Sequence, residues 1–279
     1  GTFTERGIVS GIAFDDNGSP RSSMGMDAGD VDNDGQLSVF VGTFTGEMMG
    51  VFQHLGSGLF MDRAAVLQVA RPTLPYVNMG LFLFDADLDR DLDMFICNGH
   101  IHHNIEEVQE GITYLQPSQL FINTGTGVFE EVSEEIGGVL TKPLAGRGAA
   151  YADYDLDGDL DILVTEAGGP ASLWRNDLQE GNALRITLRG RESNADGIGT
   201  KLHAYVNGER IVRWVRVGGS YLSHSECPAT IGLGNSTVVD SLQIFWISGR
   251  EDKFVNIPAN RHISITEGET EYVTRGTLR

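Results

Sequence analysis

Short apolar runs punctuated by polar, glycine-rich stretches dominate the first two-thirds of the chain. The segments around Val41, Ile96 and Val164 are rich in Val, Ile, Leu and Phe and read as strands. Each is followed by a second run, Val51-Phe-Gln-His54, Leu120-Phe-Ile-Asn123 and Leu173-Trp-Arg-Asn176. In the last third the pattern changes to strict alternation, as in Lys201–Val206, Ile211–Arg216 and Ser241–Trp246, which fits strands with one buried face. No apolar stretch approaches the roughly 18 residues of a membrane span. The pattern predicts an all-β chain whose organisation changes near Asp177 to Asn182.

Directly before the three apolar runs lie three acidic nonapeptides. They are Asp30-Val-Asp-Asn-Asp-Gly-Gln-Leu-Ser38, Asp85-Ala-Asp-Leu-Asp-Arg-Asp-Leu-Asp93 and Asp153-Tyr-Asp-Leu-Asp-Gly-Asp-Leu-Asp161. Carboxylates at alternate positions repel one another, so a folded chain that crowds them needs a hard cation, and calcium is the expected one. Side-chain oxygens from positions 1, 3 and 5 converge, position 7 offers a backbone carbonyl, and position 9 closes the shell. The predicted ligand positions are therefore Asp30, Asp32, Asp34, Gln36 and Ser38; Asp85, Asp87, Asp89, Asp91 and Asp93; and Asp153, Asp155, Asp157, Asp159 and Asp161. About three calcium ions are expected. An EF-hand would place a bidentate Glu at position 12, where these loops have Val41, Ile96 and Val164. The loops therefore lead into strands rather than helices.

They are not equivalent. The third is complete, with Gly158 where a left-handed backbone is wanted. The first ends in Ser38 and lacks one carboxylate, for which Asp27 just upstream is a substitute. The second places Arg90 where glycine is preferred, adding a positive charge and a strained backbone position.

Two landmarks keep step with the loops. Gly1-Thr-Phe3, Gly58-Leu-Phe60 and Gly127-Val-Phe129 each precede a loop by about 25 residues, and the second apolar run follows it. Repeats of this length built from short strands and Gly-rich turns predict β-propeller blades. The three segments resemble FG-GAP/VCBS repeats, whose calcium loops have the pattern D-x-D-x-D-G-x-x-D, over about residues 1 to 178. Residues 182 to 268 resemble the ASPIC/UnbV domain that follows such repeats in secreted acidic proteins. That likeness rests on Ser193-Asn-Ala-Asp-Gly-Ile-Gly199, Gly218-Gly-Ser-Tyr-Leu-Ser223, Ile231-Gly-Leu-Gly234 and Phe245-Trp-Ile-Ser-Gly249, with Asn98-Gly-His-Ile101 after the second loop. The expected architecture is a partial β-propeller of about three calcium-loop blades over 1–178, then a small β-sandwich-like domain over 179–279.

A net charge of −19 excludes a general nucleic-acid binder, because phosphate contacts need a surplus of Lys and Arg. Calcium loops of this kind fill where calcium is millimolar, which predicts an extracellular or cell-surface location. The start at Gly1 fits a processed secreted product. Only two cysteines occur, Cys97 and Cys227; they suffice for one bridge joining the two halves, or stand as two thiols. Closed propellers use about four to eight blades, so three leave open edges. Those edges would be met by more of a longer protein, by the C-terminal domain or by neighbouring copies, and contacts of the last kind would build a homo-oligomer or polymer.

Other chemistry is sparser. The second repeat carries about 14 extra residues, including His100, His102, His103, Glu106 and Glu107, which read either as a zinc or copper site or as a polar loop. The family pattern Asn-Gly-His implies a structural hydrogen-bonding role for His100. Asn194 and Asp196 occupy either a tight turn or a fourth calcium site. No nucleophile elbow, HExxH helix or phosphate loop is present, and His224 between Ser223 and Ser225 is the one hydrolase hint. The expected function is a calcium-binding extracellular scaffold or adhesion protein that is not an enzyme. The alternatives are a glycan- or protein-binding propeller and an extracellular hydrolase.

Overall fold

The computed structural model describes residues 2–15, 17–177 and 181–278. The fold is all-β, a propeller-type array of five small sheets with only single-turn helices among the described residues. Sheet one is an antiparallel meander of β1 (Met26–Gly29), β2 (Ser38–Val41), β3 (Gly50–Gly56) and β4 (Leu59–Asp62). Sheet two repeats it with β5 (Asn78–Phe84), β6 (Asp93–Asn98), β7 (Gln119–Asn123) and β8 (Phe129–Glu131), and sheet three with β9 (Gly146–Ala152), β10 (Asp161–Glu166) and β11 (Ser172–Trp174). Each acidic loop joins the first strand of its sheet to the second. The ninth loop residue, Ser38, Asp93 or Asp161, is the first residue of that second strand.

The stacking of these sheets explains their apolar patterns. On β5, Leu81 and Leu83 enter a cluster with Phe40, Val51 and Phe129, while Phe82 and Phe84 enter one with Ala149, Ile162 and Val164. Successive side chains point to opposite faces of a strand, so sheet two is buried on both sides. All seven residues of β5 and all six of β6 are consequently buried. Where the first strands converge, glycine is required: a Cβ on Gly25 would lie 2.0 Å from the carbonyl oxygen of Met79, and one on Gly80 would lie 2.7 Å from the nitrogen of Ala149.

The C-terminal part forms two further sheets. One has the order β15 (Ala229–Gly234), β12 (Asn182–Arg189), β18 (Arg261–Thr266), β19 (Val273–Thr277), with β12 and β18 parallel. The other runs β14 (Glu209–Trp214), β13 (Lys201–Val206), β16 (Val238–Phe245), β17 (Glu251–Pro258), antiparallel throughout. Both contribute to a single apolar cluster, with Leu184, Ile186 and Ile263 from the first and Leu202, Leu242 and Ile244 from the second. The segment after β14 then crosses the repeats. Ser220 donates its N–H to Met26 O at 2.8 Å, and Glu226 donates to Tyr151 O at 3.1 Å, tying β1 to β9 through a third element. The expected change of domain at 178/179 falls at residues outside the described set.

Candidate metal centres in the acidic loops

The three loops share one backbone course. Position 4 is left-handed in each, at Asn33 (φ 56°), Leu88 (φ 63°) and Leu156 (φ 63°), and so is position 6, at Gly35 (φ 90°), Arg90 (φ 97°) and Gly158 (φ 108°). Arg90 thus holds a conformation that costs a non-glycine residue on the order of 1–3 kcal/mol. Its side chain offsets part of this: it pairs with Glu209 at 2.6 Å and donates to Leu233 O at 3.1 Å and Ser236 Oγ at 3.2 Å.

This course gathers the carboxylates at positions 1, 3 and 5. One oxygen each from Asp30, Asp32 and Asp34 lies within 4.8 Å of the others, and the same holds for Asp85, Asp87 and Asp89 and for Asp153, Asp155 and Asp157. The first Asp of each trio is buried, and the other two are more open to solvent. In all three loops Oδ1 of that first Asp is buried without a hydrogen-bond partner. In the first two loops Oδ2 accepts the N–H of position 6, from Gly35 at 3.0 Å and from Arg90 at 3.2 Å. A buried carboxylate oxygen without a donor is costly, and a hard cation among three converging carboxylates supplies what it lacks. The donor set is all oxygen and fits calcium, which Asp30, Asp32 and Asp34 and their equivalents would hold.

The electrostatics agree. Burial pushes the Asp30 carboxyl upward, with the Asp34 and Asp32 charges adding to it against the Gly35 N–H. Burial raises Asp85 to about 7, opposed by Arg213 and reinforced by Asp89 and Asp87. Asp153 is raised by burial against the pull of Arg185. A divalent ion reverses this penalty by favouring the ionised form.

Positions 7 and 9 are placed differently. Gln36 Oε1 contacts His54 Nδ1 at 3.1 Å, and Asp91 accepts from Asn33 Nδ2 at 2.9 Å. Asp159 is fully buried, and burial and the adjoining Asp157 carboxylate raise it to about 8. At position 9, Asp93 accepts from the N–H groups of Ala86 (2.8 Å) and Asn123 (2.8 Å), and Asp161 from those of Tyr154 (3.1 Å) and Asn176 (2.9 Å). These aspartates clasp the loop to the end of the third strand, at Asn123, or to the segment just after it, at Asn176, and lie outside the converging trios; Ser38 stands at the equivalent place. Asp27 does not replace the missing carboxylate of the first loop. It accepts the N–H of Leu83 at 2.8 Å and pairs with Arg216, because β1 turns it toward the neighbouring sheet.

Two asparagines known from sequence only as parts of a landmark prove to be blade-to-blade fasteners. Asn123 Nδ2 donates to Val31 O at 2.8 Å and Leu92 O at 3.2 Å, and Asn176 Nδ2 donates to Ala86 O at 2.8 Å. Each therefore reaches the second residue of the loop in the preceding sheet. Their recurrence at one place in the repeat was the available signal.

The remaining candidates are placed as follows. His100 is buried, and its Nδ1 accepts the N–H of His102 at 3.1 Å; among the described residues the histidines join no group of three converging ligands. Asn194 closes its turn by accepting the N–H of Ile198 at 2.8 Å. Cys97 and Cys227 are free thiols belonging to different apolar clusters. Ser223 Oγ donates to Tyr221 O and Ser225 Oγ accepts from Tyr151 N, while His224 is exposed.

The fold and its loops define a class. The FG-GAP-like repeat matches residues 85–164, which hold the second and third loops, and the family described as ASPIC and UnbV matches residues 190–272. The chain thus carries an FG-GAP-like repeat followed by an ASPIC/UnbV domain. It is also similar to cartilage acidic protein 1 from Homo sapiens and from Mus musculus, each 24% identical over 255 residues and 90% of this chain. The Xenopus tropicalis protein of that name is 24% identical over 268 residues. The chain spans only 36% of the human relative and 37% of the other two. No helix of the described residues is long and apolar enough to cross a membrane.

Proposed function

We propose that this protein is a calcium-stabilised extracellular scaffold or adhesion module without catalytic activity of its own. The observation that carries the reading is the same buried, unpartnered Oδ1 on Asp30, Asp85 and Asp153, once in each of three equivalent loops. Three such coincidences mark a ligand set. Three calcium ions would also return about six charges to a chain of net charge −19. The relatives, named for cartilage and for acidity, support an extracellular setting, where calcium is abundant. The two C-terminal sheets share one core and are read as a sandwich-like domain over about 179–279, set on three blades over about 1–178.

The free faces of the outer blades support a scaffold. Met26, Leu59 and Met61 are exposed on sheet one, and Leu163 and Leu173 on sheet three. Apolar blade faces are the surfaces that neighbouring blades or copies cover, and head-to-tail coverage that does not close yields polymers. Binding of glycans or proteins at these faces is compatible with the same reading; nucleic acid is not, on charge.

Metal analysis of the purified protein, with melting curves and light scattering in calcium and after chelation, tests this proposal. About three calcium ions per chain, a marked fall in melting temperature on chelation and calcium-dependent growth in particle mass are expected. Absence of bound calcium would overturn the metal reading, and an unchanging monomer in both conditions would overturn self-assembly.

A further inference from the structure

The second loop is finished by residues that are distant in sequence. Asp85 converges with Asp87 and Asp89 and has its Oδ1 buried without a hydrogen-bond partner, while Oδ2 faces the C-terminal sheets. There it receives the N–H of Gly232 at 3.2 Å and lies 3.5 Å from Nη2 of Arg213. Arg213 also donates to Arg90 O at 2.8 Å, and Gly234 donates its N–H to Leu88 O at 2.8 Å. A Cβ on Gly232 would lie 2.3 Å from Asp85 Oδ2, so only glycine lets the strand come this close. β15 and the end of β14 thus hold one nine-residue loop at three points, Asp85 Oδ2, Leu88 O and Arg90 O.

The third loop repeats the arrangement. Arg185 on β12 lies 3.4 Å from Asp153 Oδ2 and is itself held by both oxygens of Glu226. Among the described residues the first loop shows no counterpart: Asp30 Oδ2 takes the Gly35 N–H from within its own loop, and Arg216 pairs with Asp27. In loops two and three, therefore, one oxygen of the buried first aspartate is left for a cation while the other is held by the C-terminal domain. The two positive partners do not compete for an oxygen, and each loop keeps several further carboxylates.

We propose that Arg213 and Gly232, and likewise Arg185, are positioning residues of the second and third calcium sites, so that the C-terminal domain completes the ion sites of the repeats. The inference rests on the calcium reading above. Partners that orient a metal ligand from behind are typically worth about 10- to 100-fold in metal affinity. By linkage, an ion whose binding is favoured by the docked domain favours docking by the same factor.

Calorimetric calcium titration of the full chain is the test, comparing wild type with Arg213→Gln, Gly232→Ala and the control Arg216→Gln. The expected result is that the first two raise the Kd of one site about tenfold, leaving the others within twofold, and that Arg216→Gln changes none. A wild type that binds no calcium would sink the underlying reading. Wild-type binding with unchanged affinities in Arg213→Gln and Gly232→Ala would overturn this inference alone. Should those variants not fold, hydrogen exchange of the wild type decides. Chelation is expected to speed exchange at Gly232 and Gly234 at least tenfold while the amides of β13 and β16 stay protected. Unchanged exchange, or equal loss along the whole chain, would refute it.

Discussion

Removing calcium should reverse the direction in which pH acts on stability, and Asp85 sets the size of the effect. Its carboxyl is buried, crowded by Asp87 and Asp89, and raised from an ordinary 3.8 to about 7. A raised folded value means that the folded chain holds this proton more tightly than the unfolded chain does. The ion-free fold is then most stable below about pH 4 and loses that advantage as pH climbs through about 7. At 1.36 kcal/mol per pKa unit the loss from Asp85 alone is about 4 kcal/mol. Asp93, raised well above its ordinary value by burial, and Asp159, raised to about 8, act in the same direction. With calcium present the sign changes, because the ion binds the ionised carboxylates and is released as they are protonated. A calcium concentration a hundredfold above Kd adds about 2.7 kcal/mol per site. Urea denaturation at about pH 5 and pH 7.5, on protein stripped of divalent ions and on protein in calcium, measures both slopes. Opposite slopes are expected. A flat or rising profile for the stripped protein would refute the argument, since the crowded carboxylates would then carry no cost.

Asn123→Ala removes two donations to carbonyls and two acceptances from Gly125 and Gly127, leaving buried groups unpaired; a loss of about 3 kcal/mol in urea denaturation is expected. Gly80→Ala drives a methyl group against Ala149 and should cost about 2 kcal/mol by the same assay, because the first strands of sheets two and three would have to separate. Burial pushes the Cys97 thiol up to about 12, so a thiol reagent should react at most with Cys227 in the folded protein and with both after denaturation. Intact mass without reductant should match two free thiols.

The acidic loops were legible because their chemistry is local. The alternate positions 1, 3 and 5 fix which carboxylates converge, and the same loop course makes position 6 left-handed even where it is Arg90. The strands were legible for a similar reason, since a face buried against a neighbouring sheet leaves its period in the sequence. The doubly buried β5 and β6 read as continuous apolar runs, whereas β13 alternates. The roles of Asp27, Asp93 and Asp161 were not legible. Each is an aspartate in or beside a loop, and only the fold shows whether its oxygens meet the other carboxylates, a neighbouring N–H or an arginine.

By itself, then, the sequence determined the strand content, the order of modules and the three carboxylate trios, all set by contacts between residues near one another along the chain. The tertiary structure decided which sheet buries both faces, that Asn123 and Asn176 fasten one blade to the loop of the last, and that the C-terminal domain grips the loops from behind. Arg213 and Asp85 are 128 residues apart, and no periodicity encodes such a pairing. It exists because strand packing brings two surfaces together, and burial then forces each charge to find its partner.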